Sequence, residues 1–182
     1  MHTKELIQAC YNGSSEMVNQ LSNAVITFLF NIILMRLAGP NGVAAITILL
    51  YGQFLFNAFY LGFSIGISPI VGYQYGAGNR KELKSIYRIS FLFVSISSVI
   101  IAFAAGYLST SIVTIFTDDP GTYALAVTGF GIFAYNFLFS GFNIVSSGFF
   151  TALSNGKVSA IISFCRTLLF TVISLLLSLI HI

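Results

Sequence analysis

The sequence predicts an all-α integral membrane protein, a bundle of five transmembrane helices, and three observations carry that prediction. Hydrophobic residues make up 57% of the 182 and charged residues only 7%, where a soluble domain carries about 25% charge. The mean hydropathy is +0.92. Long apolar runs without strand-like alternation recur at helix length, and the hydrocarbon core of a bilayer takes about 20 helical residues to cross. The expected spans are 14–38, 43–74, 87–110, 121–150 and 157–180.

Residues 1–13 read as a cytoplasmic linker: a short amphipathic segment that enters the first span through Asn12 and Gly13. They lack the apolar core of a cleavable signal peptide. The first turn of span one, Ser14-Ser15-Glu16, places an acid where the helix dipole favours it. Gly39 and Pro40 stop that span, and Asn41-Gly42 complete a tight turn. The second span is longer than the core is thick, and Pro69 within it removes a backbone donor, so a kink is expected near its end. Gly76-Ala77-Gly78-Asn79 forms a loop into the basic run Arg80, Lys81, Lys84, Arg88. Asp118-Asp119-Pro120 opens the fourth span as an acidic cap before a proline at the first helical position. Asn155-Gly156 separates the last two spans.

The net charge of +3 is unevenly placed. Positive residues stay on the cytoplasmic side of a membrane, so an N-terminus inside keeps Lys4, the Arg80 cluster, Lys157 and Arg166 inside as well. Only Arg36 falls outside, with Asp118 and Asp119. The Arg80 cluster is thereby explained as a topology anchor, without nucleic acid. Cys10 and Cys165 match no metal or redox spacing, and His2 and His181 are terminal. No Ser, His and acid set, phosphate loop or HExxH motif is present, which argues against an enzyme and against a metal or cofactor.

One polar pattern recurs in three spans. Glu16, Gln20, Asn23, Thr27 and Asn31 stand at the same offsets as Gln53, Asn57, Tyr60, Ser64 and Ser68, and as Asn136, Ser140, Asn143, Ser147 and Thr151. At 3.6 residues per turn each set keeps within about 80° of arc, one longitudinal stripe per helix. Polar residues in a bilayer turn toward a bundle interior or a water-filled cavity. Glu16, Gln20, Asn23, Gln53, Asn57, Asn136, Ser140 and Asn143 are therefore candidate cavity contacts, with hydrogen bonding between helices as the competing reading. Phe54, Phe56, Phe59, Phe63, Phe137, Phe139 and Phe142 fall mostly off the stripes and read as lipid contact or packing.

The chain also resembles a known family. Gly13-Ser14-Ser15-Glu16, Arg36-Leu37-Ala38-Gly39 followed by Gly42-Val43-Ala44-Ala45, the run from Pro69 through Gly72-Tyr73-Gln74-Tyr75-Gly76-Ala77-Gly78-Asn79, and Phe116-Thr117-Asp118-Asp119-Pro120 stand in order. Together they are similar to the C-terminal half of the multidrug and toxic compound extrusion (MATE) family of bacterial efflux antiporters. The resemblance implies a two-lobe, twelve-helix fold of which these spans are helices seven to eleven, with the N-terminal lobe and the twelfth helix missing.

It also implies exchange of a small, cationic organic substrate for Na⁺ or H⁺ across the bacterial plasma (inner) membrane. Glu16 would then be a cation or drug contact. The deeper carboxylates of some members are replaced here near Asn23 or Ala24 and near Asn136 or Ser140. Neutral amides cannot take up a proton, which moves the coupling acid to the missing lobe. The alternatives are a related lipid-linked oligosaccharide flippase and a truncated membrane piece without transport of its own. Leu177 to Ile182 reads like a translated sequencing adapter, so 177–182 is expected to be a non-native tail.

Overall fold

A computed structural model describes the backbone of residues 3–181 and, Arg166 excepted, the side chains of residues 17–175 with those of Ile7 and Cys10. The described chain is helical apart from short breaks: α1 (Thr3–Gly76), α2 (Arg80–Phe116), α3 (Pro120–Ala152), α4 (Gly156–Phe164), a π turn (Cys165–Leu169) and α5 (Phe170–His181). Four helical runs, Met17–Gly76, Arg80–Phe116, Pro120–Ala152 and Gly156–Leu175, are long and apolar enough to cross a membrane. Large apolar side chains point outward, with Phe103, Tyr107 and Ile115 more than three-quarters exposed. That suits lipid contact.

α1 is interrupted once. Gly39 has φ +62° and ψ −154°, the single non-helical position inside it, and backbone of that kind is essentially restricted to glycine. The backbone stays helical through Pro69, so the expected kink is not marked by non-helical dihedrals. α1 is also helical from Thr3 onward, through Asn12 and Gly13.

The chain divides into two compact units. One consists of Leu29–Phe63 and Tyr87–Phe142. Its core is Ala45, Ile46, Ile48, Leu49, Val113, Ala126 and Phe130, with Phe30 and Leu34 packed on from before the break. Successive contacts pair Gly52 with Phe130, Phe56 with Phe137 and Tyr60 with Gly141. Both residue numbers rise together, so these stretches of α1 and α3 run parallel. The face that α2 buries is of small residues, Ser90, Val94, Ser97, Ser98, Ala105, Ser109 and Val113. The sequence reading did not single out that stripe.

The other unit comprises residues up to Phe28, Ser64–Ile86 and the residues from Asn143 onward. Two turns within it are built alike. After α1, the N–H groups of Ala77, Gly78 and Asn79 donate to the carbonyls of Tyr73, Tyr75 and Gln74; after α3, those of Leu153, Ser154 and Asn155 donate to Phe149, Thr151 and Phe150. Each turn satisfies the last carbonyls of its helix through a left-handed residue, Gly78 or Ser154. An asparagine follows and caps the next helix: Asn79 Oδ1 accepts from Glu82 N–H at 3.3 Å, and Asn155 Oδ1 from Val158 N–H at 3.4 Å.

Candidate functional site

The three stripes prove unequal once their neighbours are in place. On the first, Gln20, Asn23 and Thr27 are exposed, and the side chain of Glu16 lies outside the described residues. On the second, Gln53 and Asn57 are half-buried while Tyr60 and Ser64 are enclosed. On the third, Asn136 is exposed, Ser140 is buried, and Asn143 is half-buried.

Some hydroxyls on the stripes are satisfied by their own helix. Thr27 donates to the Asn23 carbonyl at 2.9 Å and Ser68 to the Ser64 carbonyl at 2.7 Å. Such bonds to the carbonyl four residues back remove the need for a partner across a helix interface. The side-chain amides are the other polar groups on the stripes, each with both donor and acceptor capacity.

In the unit that contains Asn143, hydroxyls join α3 to α4. Ser147 Oγ lies 2.8 Å from Ser159 Oγ and 3.0 Å from Ser163 Oγ, and Thr151 donates to Ser159 at 2.8 Å. Ser159 and Ser163 are almost fully buried. The face continues into the π turn, where Thr167 donates to Asn19 Oδ1 at 3.2 Å. Ser159, Ser163 and Thr167 are spaced by four residues, one line along the helix. The helical period of that line was visible in the sequence; its partners were not. The π turn, closed by the Phe170 N–H on the Cys165 carbonyl, has no comparable sequence signal.

In the other unit, Tyr60 packs on Gly141, the residue after Ser140, and Asn57 stands one turn before Tyr60. A Cβ on Gly141 would stand 2.5–2.8 Å from atoms of the Tyr60 ring, so the ring lies directly over that backbone. Nearby is an apolar cleft of about 450 Å³ lined by Leu55, Phe56, Phe59, Phe93, Ile96, Ser97, Ile100 and Ile101. Phe93 stacks on Phe59 and Phe63 with centroids 5.7 and 4.3 Å apart. Ser97 already donates to the Val94 carbonyl, so the walls of this cleft offer contact area rather than hydrogen bonds.

Among the described residues charge lies near the ends of the helices and, with Arg36, near the Gly39 break of α1. Asp119 caps α3: its Oδ2 accepts from the Thr122 N–H at 2.7 Å, and its own N–H donates to Thr117 Oγ1 at 3.2 Å. The Thr122 backbone bond, with further help from the Thr122 side chain and the Gly121 N–H, holds the Asp119 carboxyl below its usual range. That is the expected cap, and it accounts for this acid structurally. No group of three or more His, Cys, Asp or Glu able to hold a metal is found among the described residues. What the stripes offer is neutral amide and hydroxyl oxygen, suited to hydrogen bonding and to ion–dipole contact with a cation.

Comparison with known proteins agrees with the helical architecture. The MatE family profile matches residues 17–176, nearly the whole chain. No curated protein and no solved structure matches the sequence.

Proposed function

Because this chain belongs to the MatE family of membrane transporters, we propose that it acts as the C-terminal lobe of a cation-coupled antiporter that carries organic cations out of the cell. The observation that carries the reading is the family match across residues 17–176. Four long apolar helices support a multi-pass position in the membrane. In this reading each arm of α1 about Gly39 crosses separately, giving five crossings, helices seven to eleven of the twelve. The distribution of basic residues supports a cytoplasmic N-terminus, and the likeness to bacterial antiporters supports an inner-membrane position.

The amides of Gln20, Asn23, Gln53, Asn136 and Asn143, with Glu16, supply substrate contacts, whereas Asn57 Oδ1 and Ser140 Oγ are enclosed. Neutral oxygens hold an organic cation by dipole and hydrogen bond without trapping it as a buried carboxylate would. They cannot shuttle protons, so the acid that couples transport to Na⁺ or H⁺ belongs to the N-terminal lobe. A flippase cavity for a pyrophosphate needs fixed positive charge, and the stripes carry none.

The test is drug tolerance in an efflux-deficient bacterial host expressing the full-length protein. Wild type is expected to raise tolerance to organic cations, and Asn23→Leu and Asn143→Leu to lower it several-fold at equal expression. Wild type without effect on any organic cation would reject the transport reading. Undiminished tolerance in both variants would reject the stripes as substrate contacts.

A further inference from the structure

Three polar atoms in one small region are sealed without partners. Asn57 Oδ1, Tyr60 OH and Ser140 Oγ are enclosed, and none has a hydrogen-bond partner among the described residues. Tyr60 is 0% exposed and Ser140 8%. They share a neighbourhood. Asn57 precedes Tyr60 by one turn, and residues three apart are neighbours on a helix surface. Ser140 adjoins Gly141, the residue under the Tyr60 ring. The ring pair Phe56 and Phe137, 5.1 Å between centroids, closes the side one turn away.

Buried polar atoms in folded proteins are paired with few exceptions, and each exception calls for a reason. Inside a membrane no bulk water compensates a missing bond. The Tyr60 ring against Gly141 brings two helices so close that no solvent touches these atoms, so nothing outside the chain reaches them while that contact holds. Three orphans at one contact are therefore better explained by a second arrangement, in which the contact opens and they acquire partners. Asn57 Oδ1 only accepts, whereas the Tyr60 and Ser140 hydroxyls donate or accept. The partner must carry O–H or N–H and be small, which describes water.

We infer that the Tyr60–Gly141 contact is a closed gate over a hydrogen-bonding site made by Asn57, Tyr60 and Ser140, and that water occupies this site when the gate opens. The inference deepens the transport reading and rests on it for its purpose. A transporter must keep two packings close in free energy, and a closed form that forfeits three hydrogen bonds is held near its open form.

The gate is tested in two ways on the full-length protein. Thermal unfolding in detergent compares wild type with Tyr60→Phe and Ser140→Ala. Each removes an unpaired hydroxyl at constant shape, so each is expected to unfold at a temperature no lower than wild type; a clear fall in both would show that the hydroxyls already have partners and would overturn the inference. Thiol labelling then follows Ser140→Cys, on a background with Cys10 and Cys165 replaced by Ser and Ala, using a small membrane-permeant reagent. Labelling should be slow at rest, at least tenfold faster during ion-driven turnover, and fast without turnover when Gly141→Ala props the ring away. If Gly141→Ala does not fold, Tyr60→Phe takes its place and should slow labelling several-fold. Equal labelling in all conditions sinks the gate. The unfolding arm requires no transport, so a protein that passes it but confers no drug tolerance retires the transport reading and leaves the contact standing.

Discussion

The carbonyl oxygen of Leu34 lies 3.2 Å from the place a Cβ on Gly42 would occupy, although eight residues separate them. In an unbroken helix that separation is about 12 Å along the axis. The chain therefore folds back between them, at Gly39, and Phe30 and Leu34 reach the core formed by Ala45 to Leu49.

The fold-back depends on a backbone conformation that side chains oppose. Gly39→Ala is expected to destabilise the protein by about 1–3 kcal/mol, the cost of a residue held in such a region. A thermal-unfolding series in detergent checks it, and an unchanged midpoint would show that the turn re-forms with ordinary dihedrals.

Gly148 and Ser64 touch directly: a Cβ on Gly148 would run into Ser64 Oγ, while Ser64 Cβ is 3.3 Å from it. Gly148→Ala should cost about 1–3 kcal/mol by overpacking. Ser64→Ala in the same chain should recover most of the loss, because the obstructing atom is the hydroxyl. Unfolding midpoints of both singles and the double decide the point.

Ser154 holds φ at +57° where the matching turn has Gly78 at +69°. A left-handed conformation costs a non-glycine residue about 1–2 kcal/mol. Ser154→Gly is therefore expected to stabilise, raising the unfolding midpoint, with the offset that glycine also gains freedom in the unfolded chain. A lowered midpoint would mean that Ser154 makes contacts outweighing its backbone strain.

The Asp119 cap ties stability to pH. Its carboxyl titrates lower in the folded state than the ordinary value near 3.8, so the folded protein favours the ionised form. The contribution is complete above the unfolded value and disappears as pH falls through the lower folded one. Asp119→Ala should unfold earlier than wild type at pH 7, and the gap should narrow once the pH drops below about 3.9. A gap independent of pH would assign the effect to helix propensity instead of charge.

Much of the helical framework was legible in the chain because its breakpoints are chemically explicit. Gly39, Gly78-Asn79, Asp119-Pro120 and Asn155-Gly156 each carry a cap, a left-handed residue or a proline, and the helices change at these points. Helix lengths were less legible. The third span was expected over 87–110, whereas α2 runs Arg80–Phe116. Hydropathy follows the thickness of the bilayer, while helical hydrogen bonding continues into polar turns beyond it. At Pro69 the lost donor leaves the dihedrals helical, because the neighbouring bonds of the helix hold.

By itself the sequence determined that the chain is helical, lies in a membrane and carries polar residues in three aligned stripes, because helix period and composition are local properties. Only the tertiary structure decided what each stripe residue meets. Asn23 and Asn136 remain exposed, Ser147 reaches Ser159 and Ser163, and Tyr60 is sealed over Gly141 beside Ser140. A period gives the angle at which a side chain leaves its helix. What stands at the end of that angle is settled by how helices that are apolar nearly all round pack on one another.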